Sequence, residues 1–156
     1  MTKPAVLFVC LGNICRSPLA EAAFRQEAAR VGLDAEVDSA GVGGWHAGEP
    51  PDRRAQAVAR RHGVDISGYR ARKVTQDDFC RFTHVIALDH ENLAALKALR
   101  PQDATAELSL LLDHVKGREG LAVDDPWYGP VSGFEITWSE VTEGAKGLAA
   151  KLLKKT

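Results

Sequence analysis

AVLFVCLGNICRSP, residues 5–18, is the stretch from which the architecture can be read. Ala5–Val9 is continuously apolar, as expected of a strand buried on both faces. It runs into a loop containing Gly12 and Asn13, then into a helical stripe of Ala20, Ala23, Phe24, Ala28 and Val31. Pro18 suits the first turn of that helix and Gly32 suits its stop. Strand, loop and helix in this order form the first half of a parallel-sheet crossover.

Outward from that stretch the pattern repeats. Glu36–Ala40 reads as a second short strand, followed by a long loop over Gly41–Pro51. Asp52 can cap a helix that ends at Gly63, with Ala55, Val58 and Ala59 turned inward. Thr75 can cap a short turn through Phe79. Thr83–Leu88 reads as a third strand, Asp89 opens a helix running to about Arg100, and Glu107–Leu112 reads as a fourth strand. Lys116–Gly133 is loop-like. Beyond it Phe134, Trp138, Val141, Ala145, Leu148 and Leu152 recur at spacings of four and three, one apolar face of a long C-terminal helix. The expected fold class is α/β, a parallel sheet covered by helices on both faces. Its ligand site is expected at the carboxyl ends of the strands. One domain is expected over residues 1–156.

Composition narrows the function. Hydrophobic residues make up 45% and charged residues 26%, an ordinary globular balance. Twenty basic and twenty-one acidic residues give a formal charge of -1, which argues against a general nucleic-acid binder. No early apolar run is long enough to cross a membrane, and no secretory leader pattern is present. Three cysteines without a CxxC pair indicate neither a disulfide framework nor a zinc cage. The five histidines have no metal-binding spacing and read as surface or cap residues. A soluble, cytoplasmic protein with no cofactor and no metal is expected, without nucleic-acid or membrane partners.

The chemistry is concentrated in the loop after the first strand. Gly12 and Asn13 tolerate positive φ, so Leu11, Gly12, Asn13, Ile14 and Cys15 can curl with successive N–H groups pointing inward. Amides curled at a helix N-terminus favour a tetrahedral anion such as phosphate or sulfate. Arg16 can close the ring and grip two anion oxygens with its planar fork. The same field favours a thiolate at Cys10, and Ser17 can donate a hydroxyl hydrogen bond to the sulfur. A bare Cys-x5-Arg match is weak evidence; the strand before it and the Ser-Pro and helix after it make it specific. The loop lacks the Gly-Lys-Ser/Thr ending of nucleotide-binding loops, and no G-x-S-x-G elbow exists elsewhere.

VCLGNICRSPLAE resembles the signature of the low-molecular-weight protein tyrosine phosphatases. DSAG at Asp38–Gly41, Trp45, ALDHENL at Ala87–Leu93 and DDPWYG at Asp124–Gly129 resemble further family segments in the same order. The resemblance implies a single-domain, four-stranded parallel sheet of the flavodoxin-like phosphotyrosine phosphatase I kind. It implies metal-independent hydrolysis of phosphotyrosine in proteins through a phosphocysteine, by a monomer or weak dimer. Cys10 matches the nucleophile, Arg16 the phosphoryl-binding arginine and Asp125, beside Pro126, the general acid. Acidic residues before proline are otherwise usually turn formers, and Asp124 is the neighbouring alternative. Trp45, Trp127 and Tyr128 resemble the cleft walls that stack on a phenyl ring, and His46 lies in the variable part of the recognition loop. Trp127 stands where the family more often has tyrosine. Tyr69 stands where many members have a histidine supporting the loop asparagine, here Asn13. Cys15 matches a second loop cysteine, implying a reversible Cys10–Cys15 disulfide on oxidation. Cys80 reads as structural.

Three rivals share parts of this pattern. Arsenate reductases pass a disulfide to later cysteines, and no cysteine follows Cys80. Protein arginine phosphatases tend to carry threonine where Ile14 stands. A non-catalytic phosphate-binding module would be expected to lose Cys10, Arg16 or Asp125.

Overall fold

The computed structural model describes residues 3–155. Four strands, β1 (Ala5–Cys10), β2 (Glu36–Gly41), β3 (His84–Ala87) and β4 (Glu107–Leu110), pair in parallel in the order β2-β1-β3-β4. Phe8 lies opposite Ser39 on one side and Ile86 on the other, so β1 is central. The strand order reverses between β1 and β3, and the carboxyl ends of these two strands bound the crevice that a doubly wound sheet offers to ligands.

Alternation along β1 builds two cores. Val6, Phe8 and Cys10 face α1 (Arg16–Val31), α2 (Arg53–Arg61) and α5 (Gly133–Lys155), while Ala5, Leu7 and Val9 face α3 (Asp78–Arg81) and α4 (His90–Leu99). Phe8 and Phe24 meet with centroids 5.6 Å apart in the first core. All six residues of the expected C-terminal stripe are buried, and α5 closes that face.

Three of the expected caps form. Asp52 accepts from the Arg54 N–H, Asp89 accepts from the Asn92 N–H, and Gly32 ends α1 at φ 74. Three expectations change. The fourth strand stops at Leu110, where the Leu110 N–H turns to the Asp113 carboxylate and Leu111–His114 winds into a 3-10 turn. Thr75 does not cap its turn with its hydroxyl; the Asp78 carboxylate accepts from the Thr75 N–H instead. Cys80 is exposed, not a core residue.

The 3-10 turn carries a half-buried histidine. Lys151 Nζ lies 3.1 Å from His114 Nδ1 and Ser109 Oγ lies 2.8 Å from Nε2. An ammonium can only donate, so Nδ1 accepts and the Nε2–H donates to Ser109, which specifies a neutral ring. Burial, then the Lys151 charge, holds the His114 pKa down from 6.5 to about 4. The unfolded chain therefore takes up this proton first as pH falls. The stabilisation is complete above pH 6.5 and is lost as pH drops toward 4. Urea unfolding at pH 7 and pH 5 should show His114→Gln losing about 1 kcal/mol less than the parent between the two, after allowance for solvent screening. Equal losses would contradict the neutral assignment.

Candidate active site

The loop from Cys10 to Arg16 leaves β1 at the reversal of strand order. Asn13 adopts φ 61, the one positive φ outside glycine among the described residues. Its side-chain amide holds that turn: Nδ2 donates to Ser17 Oγ at 2.8 Å and Ser39 Oγ at 3.0 Å, and Oδ1 accepts from the Arg72 N–H. The Ser39 hydroxyl donates to Glu21, which Arg25 also binds. Burial pushes the Glu21 carboxyl up, against the hydrogen bonds from Ser39 and Arg25 that lower it. Tyr69 makes no bond to Asn13; it is half-buried and packed against the first core. Glycine at Gly41 allows close approach, since a Cβ there would stand 3.0 Å from the backbone of Leu11, Gly12 and Gly43.

Curling leaves the loop's donors without a backbone acceptor: none of the N–H groups of Leu11 to Cys15 donates to a backbone carbonyl among the described residues. Cys10 Sγ lies 3.0 Å from Ser17 Oγ. Since Asn13 already donates to that oxygen, the Ser17 hydrogen goes to the sulfur at 3.0 Å or to the Ala40 carbonyl at 3.4 Å.

Arg16 is 3% exposed, which a lone guanidinium would not tolerate. Its Nη1 donates to Asp89 Oδ2 at 2.7 Å and to the Val123 carbonyl at 2.9 Å. Nη2 faces Asp125 Oδ2 at 3.7 Å. Burial works against its charge, but Cys10, Asp89 and Asp125 outweigh that and raise its pKa. With Nη1 committed to anchoring, the Nε and Nη2 edge is the fork that can bind two oxygens. Asp89 performs two tasks, one oxygen capping α4 and the other orienting Arg16.

Val123 sets the acidic loop in place. It is fully buried, its N–H donates to the Leu88 carbonyl at the end of β3, and its C=O accepts from Arg16. Two residues later Asp125 stands over the loop, while Asp124 is not among the groups lining the cleft. The cleft has a volume of about 230 Å³. Cys10, Gly12, Ile14, Cys15 and Arg16 form its floor, and Trp45, His46, Trp127 and Tyr128 its walls. Asn13 and Ser17 lie beneath the floor, buried, as props rather than lining. Burial, then the Asp52 carboxylate, raises the Cys15 pKa, so Cys15 is held as a neutral thiol.

The sequence reading did not assign site roles to Asp89, Ser39 or Arg72. Only Asp89 had a local signal, its position as a helix cap just after a strand.

An anion cradle, a buried cysteine and a carboxylate thus meet in one aromatic-walled slot. The chain matches the family model described as low molecular weight phosphotyrosine protein phosphatase over residues 5–156. It is 42% identical over 152 residues to the low molecular weight protein-tyrosine-phosphatase YfkJ of Bacillus subtilis, covering 96% of each chain. The crystal structure of YfkJ superposes with a TM-score of 0.92, covering 100% of this chain and 98% of that one. The human low molecular weight phosphotyrosine protein phosphatase is 37% identical over 150 residues, covering 94% of each. The Drosophila arginine phosphatase DARP has the same fold, with a TM-score of 0.87 at 30% identity, covering 94% of this chain and 96% of that one. On this evidence the chain belongs to the low molecular weight phosphotyrosine protein phosphatase family, a family of cysteine-based protein-tyrosine phosphatases.

Proposed function

We propose that Cys10 is the nucleophile, Arg16 the phosphoryl clamp and Asp125 the proton carrier in hydrolysis of phosphotyrosine in proteins. The observation that carries this reading is that Cys10, Arg16 and Asp125 border one cleft, whose loop from Leu11 to Cys15 has no backbone acceptor for its amides among the described residues. The Cys10 sulfur attacks phosphorus in line as the bond to the phenolic oxygen breaks, and protonated Asp125 gives that oxygen its proton. Water then attacks the phosphocysteine, Asp125 takes a proton from it, and the S–P bond breaks to restore the thiolate. The amides and Arg16 stabilise the charge on the equatorial oxygens in both steps. No metal takes part.

Trp45, Trp127 and Tyr128 give the slot its depth and a stacking surface for a phenyl ring. Trp45 is 69% and Tyr128 96% exposed, so both are free to contact a protein substrate around the phosphotyrosine. That Cys10 and Cys15 border the same cleft supports a reversible, protective disulfide between them on oxidation.

The reading is tested by turnover of phenyl phosphate, a phosphotyrosine peptide and a phosphoarginine peptide, all in excess chelator. The first two should be hydrolysed, with the phosphotyrosine peptide preferred over the phosphoarginine peptide by at least about tenfold, the scale expected of a pocket shaped for one ring. A preference for phosphoarginine would overturn the substrate class. Loss of all activity in chelator would overturn the metal-free mechanism.

A further inference from the structure

The loop that carries Asp125 has little burial of its own. Tyr128 is 96% exposed and Val131 60% exposed, and no regular element spans Leu121 to Ser132. Val123 anchors it before Asp125, and Phe134 in α5 anchors it afterwards. Between those points a side chain from a different element, Arg54 of α2, grips the loop.

Arg54 uses its whole guanidinium. Its Cζ lies over the Trp127 ring, 5.2 Å from the centroid, and over the Phe134 ring, 4.7 Å from the centroid. Nη1 donates to the Trp127 carbonyl at 3.1 Å. The remaining edge is tied to Asp52, with Nε 3.0 Å from Oδ1 and Nη2 3.2 Å from Oδ2. Asp52 is itself fixed to the phosphate loop, because its N–H donates to the Ile14 carbonyl at 2.8 Å. On the other side, the Trp127 N–H donates to Asp125 Oδ1 at 3.1 Å. A continuous chain of contacts therefore runs from the floor of the cradle through Asp52, Arg54 and Trp127 to the carboxyl that would move the proton.

We propose that Arg54 is a positioning residue that sets Asp125 over the phosphate loop by clamping Trp127 to Asp52. Arg54 does not line the cleft, so its influence on the reaction passes through the acid loop. Lysine cannot replace it: one ammonium cannot hold both Asp52 oxygens, bond the Trp127 carbonyl and stack on two rings. Burial opposes the charge on Asp52, but its bonds from Arg54 hold its carboxyl below the ordinary carboxylate range, so the clamp stays ionised across neutral pH. The proposal rests on the assignment of Asp125 as proton donor.

That dependence defines the experiment: kcat/KM for aryl phosphates from 2,4-dinitrophenyl to phenyl, with Arg54→Ala, Arg54→Lys, Asp125→Asn and the Arg54→Ala/Asp125→Asn double variant. A dinitrophenolate departs without a proton, whereas phenolate needs one. Both Arg54 variants should lose about tenfold on phenyl phosphate and less than about twofold on the dinitrophenyl ester, the scale of a displaced acid with an intact cradle. Competitive inhibition by inorganic phosphate should stay unchanged, and the double variant should equal Asp125→Asn alone. If Asp125→Asn steepens the leaving-group dependence while both Arg54 variants lower all esters equally, or the double variant shows multiplied losses, Arg54 has no positioning role. If Asp125→Asn leaves the wild-type dependence, the acid assignment falls and the Arg54 role falls with it. Arg54→Lys keeps the charge, so the readout survives if the alanine variant fails to fold.

Discussion

Cys10→Ser is expected to abolish turnover while leaving anion binding in place. Serine is close in size to cysteine and can keep a hydrogen bond to Ser17, whose Oγ lies 3.0 Å from Cys10 Sγ in the parent. It also leaves the amides of residues 11–15 and the Arg16 fork untouched. What it removes is the sulfur nucleophile, for which a hydroxyl without an adjacent base is a poor substitute. Among the described residues no histidine is hydrogen-bonded to Cys10 to serve as that base; His46, which lines the cleft, faces Glu49 at 3.3 Å. The loss in kcat for p-nitrophenyl phosphate should be at least about 10⁴-fold, in the range seen when a covalent nucleophile is removed. Phosphate titration followed by the fluorescence of Trp45 and Trp127 should give a dissociation constant within about threefold of the parent. Retained turnover within about 100-fold of the parent would remove Cys10 from the mechanism.

The second large effect is expected at Arg16. Arg16→Lys keeps one positive charge but breaks a division of labour within a single guanidinium, in which Nη1 anchors to Asp89 and Val123 while the other edge faces the anion. An ammonium drawn to Asp89 leaves the phosphoryl oxygens without their bidentate partner, and one drawn to the anion leaves Asp89 unpaired. Arginine contacts to a transferring phosphoryl group contribute about 10³–10⁵ in rate. A fall in kcat/KM of about 10³-fold or more is expected, with weaker inhibition by inorganic phosphate. Because the Val123 tie also holds the acid loop, the leaving-group dependence should steepen in this variant as well. A lysine variant within tenfold of the parent would show that the amides alone bind the transition state.

The sequence made the local features legible and left the cross-chain ones hidden. β1, the curl after it and the stripe of α5 follow from patterns within a few residues, and the caps at Asp52 and Asp89 follow from side chains bonding amides two or three positions on. The end of β4 was misplaced because Leu111 and Leu112 are as apolar as strand residues; an Asp113 carboxylate, not hydropathy, ends the strand. Cys80 was read as structural from its residue type alone, and no local pattern signals that its turn faces solvent. The supports of the site were invisible for another reason. Asp89 lies 73 residues from Arg16, Arg72 lies 59 from Asn13 and Trp127 lies 73 from Arg54, so only the topology brings them together. The resemblance to known phosphatases located Cys10, Arg16 and Asp125, but Trp127 appeared in it as a stacking surface and Arg54 not at all.

Gly41 has a consequence for anyone wishing to move this chemistry elsewhere. The terminus of β2 presses its bare backbone against that of the adjoining curl, so closely that an added methyl group would sit 3.0 Å from three backbone atoms. Grafting the eight residues Cys10 to Ser17 onto another doubly wound scaffold would therefore push the curl out of place by a few tenths of an ångström wherever the adjacent strand ends in a residue with a side chain. The portable unit is two neighbouring strand ends, separated in sequence by an entire helix.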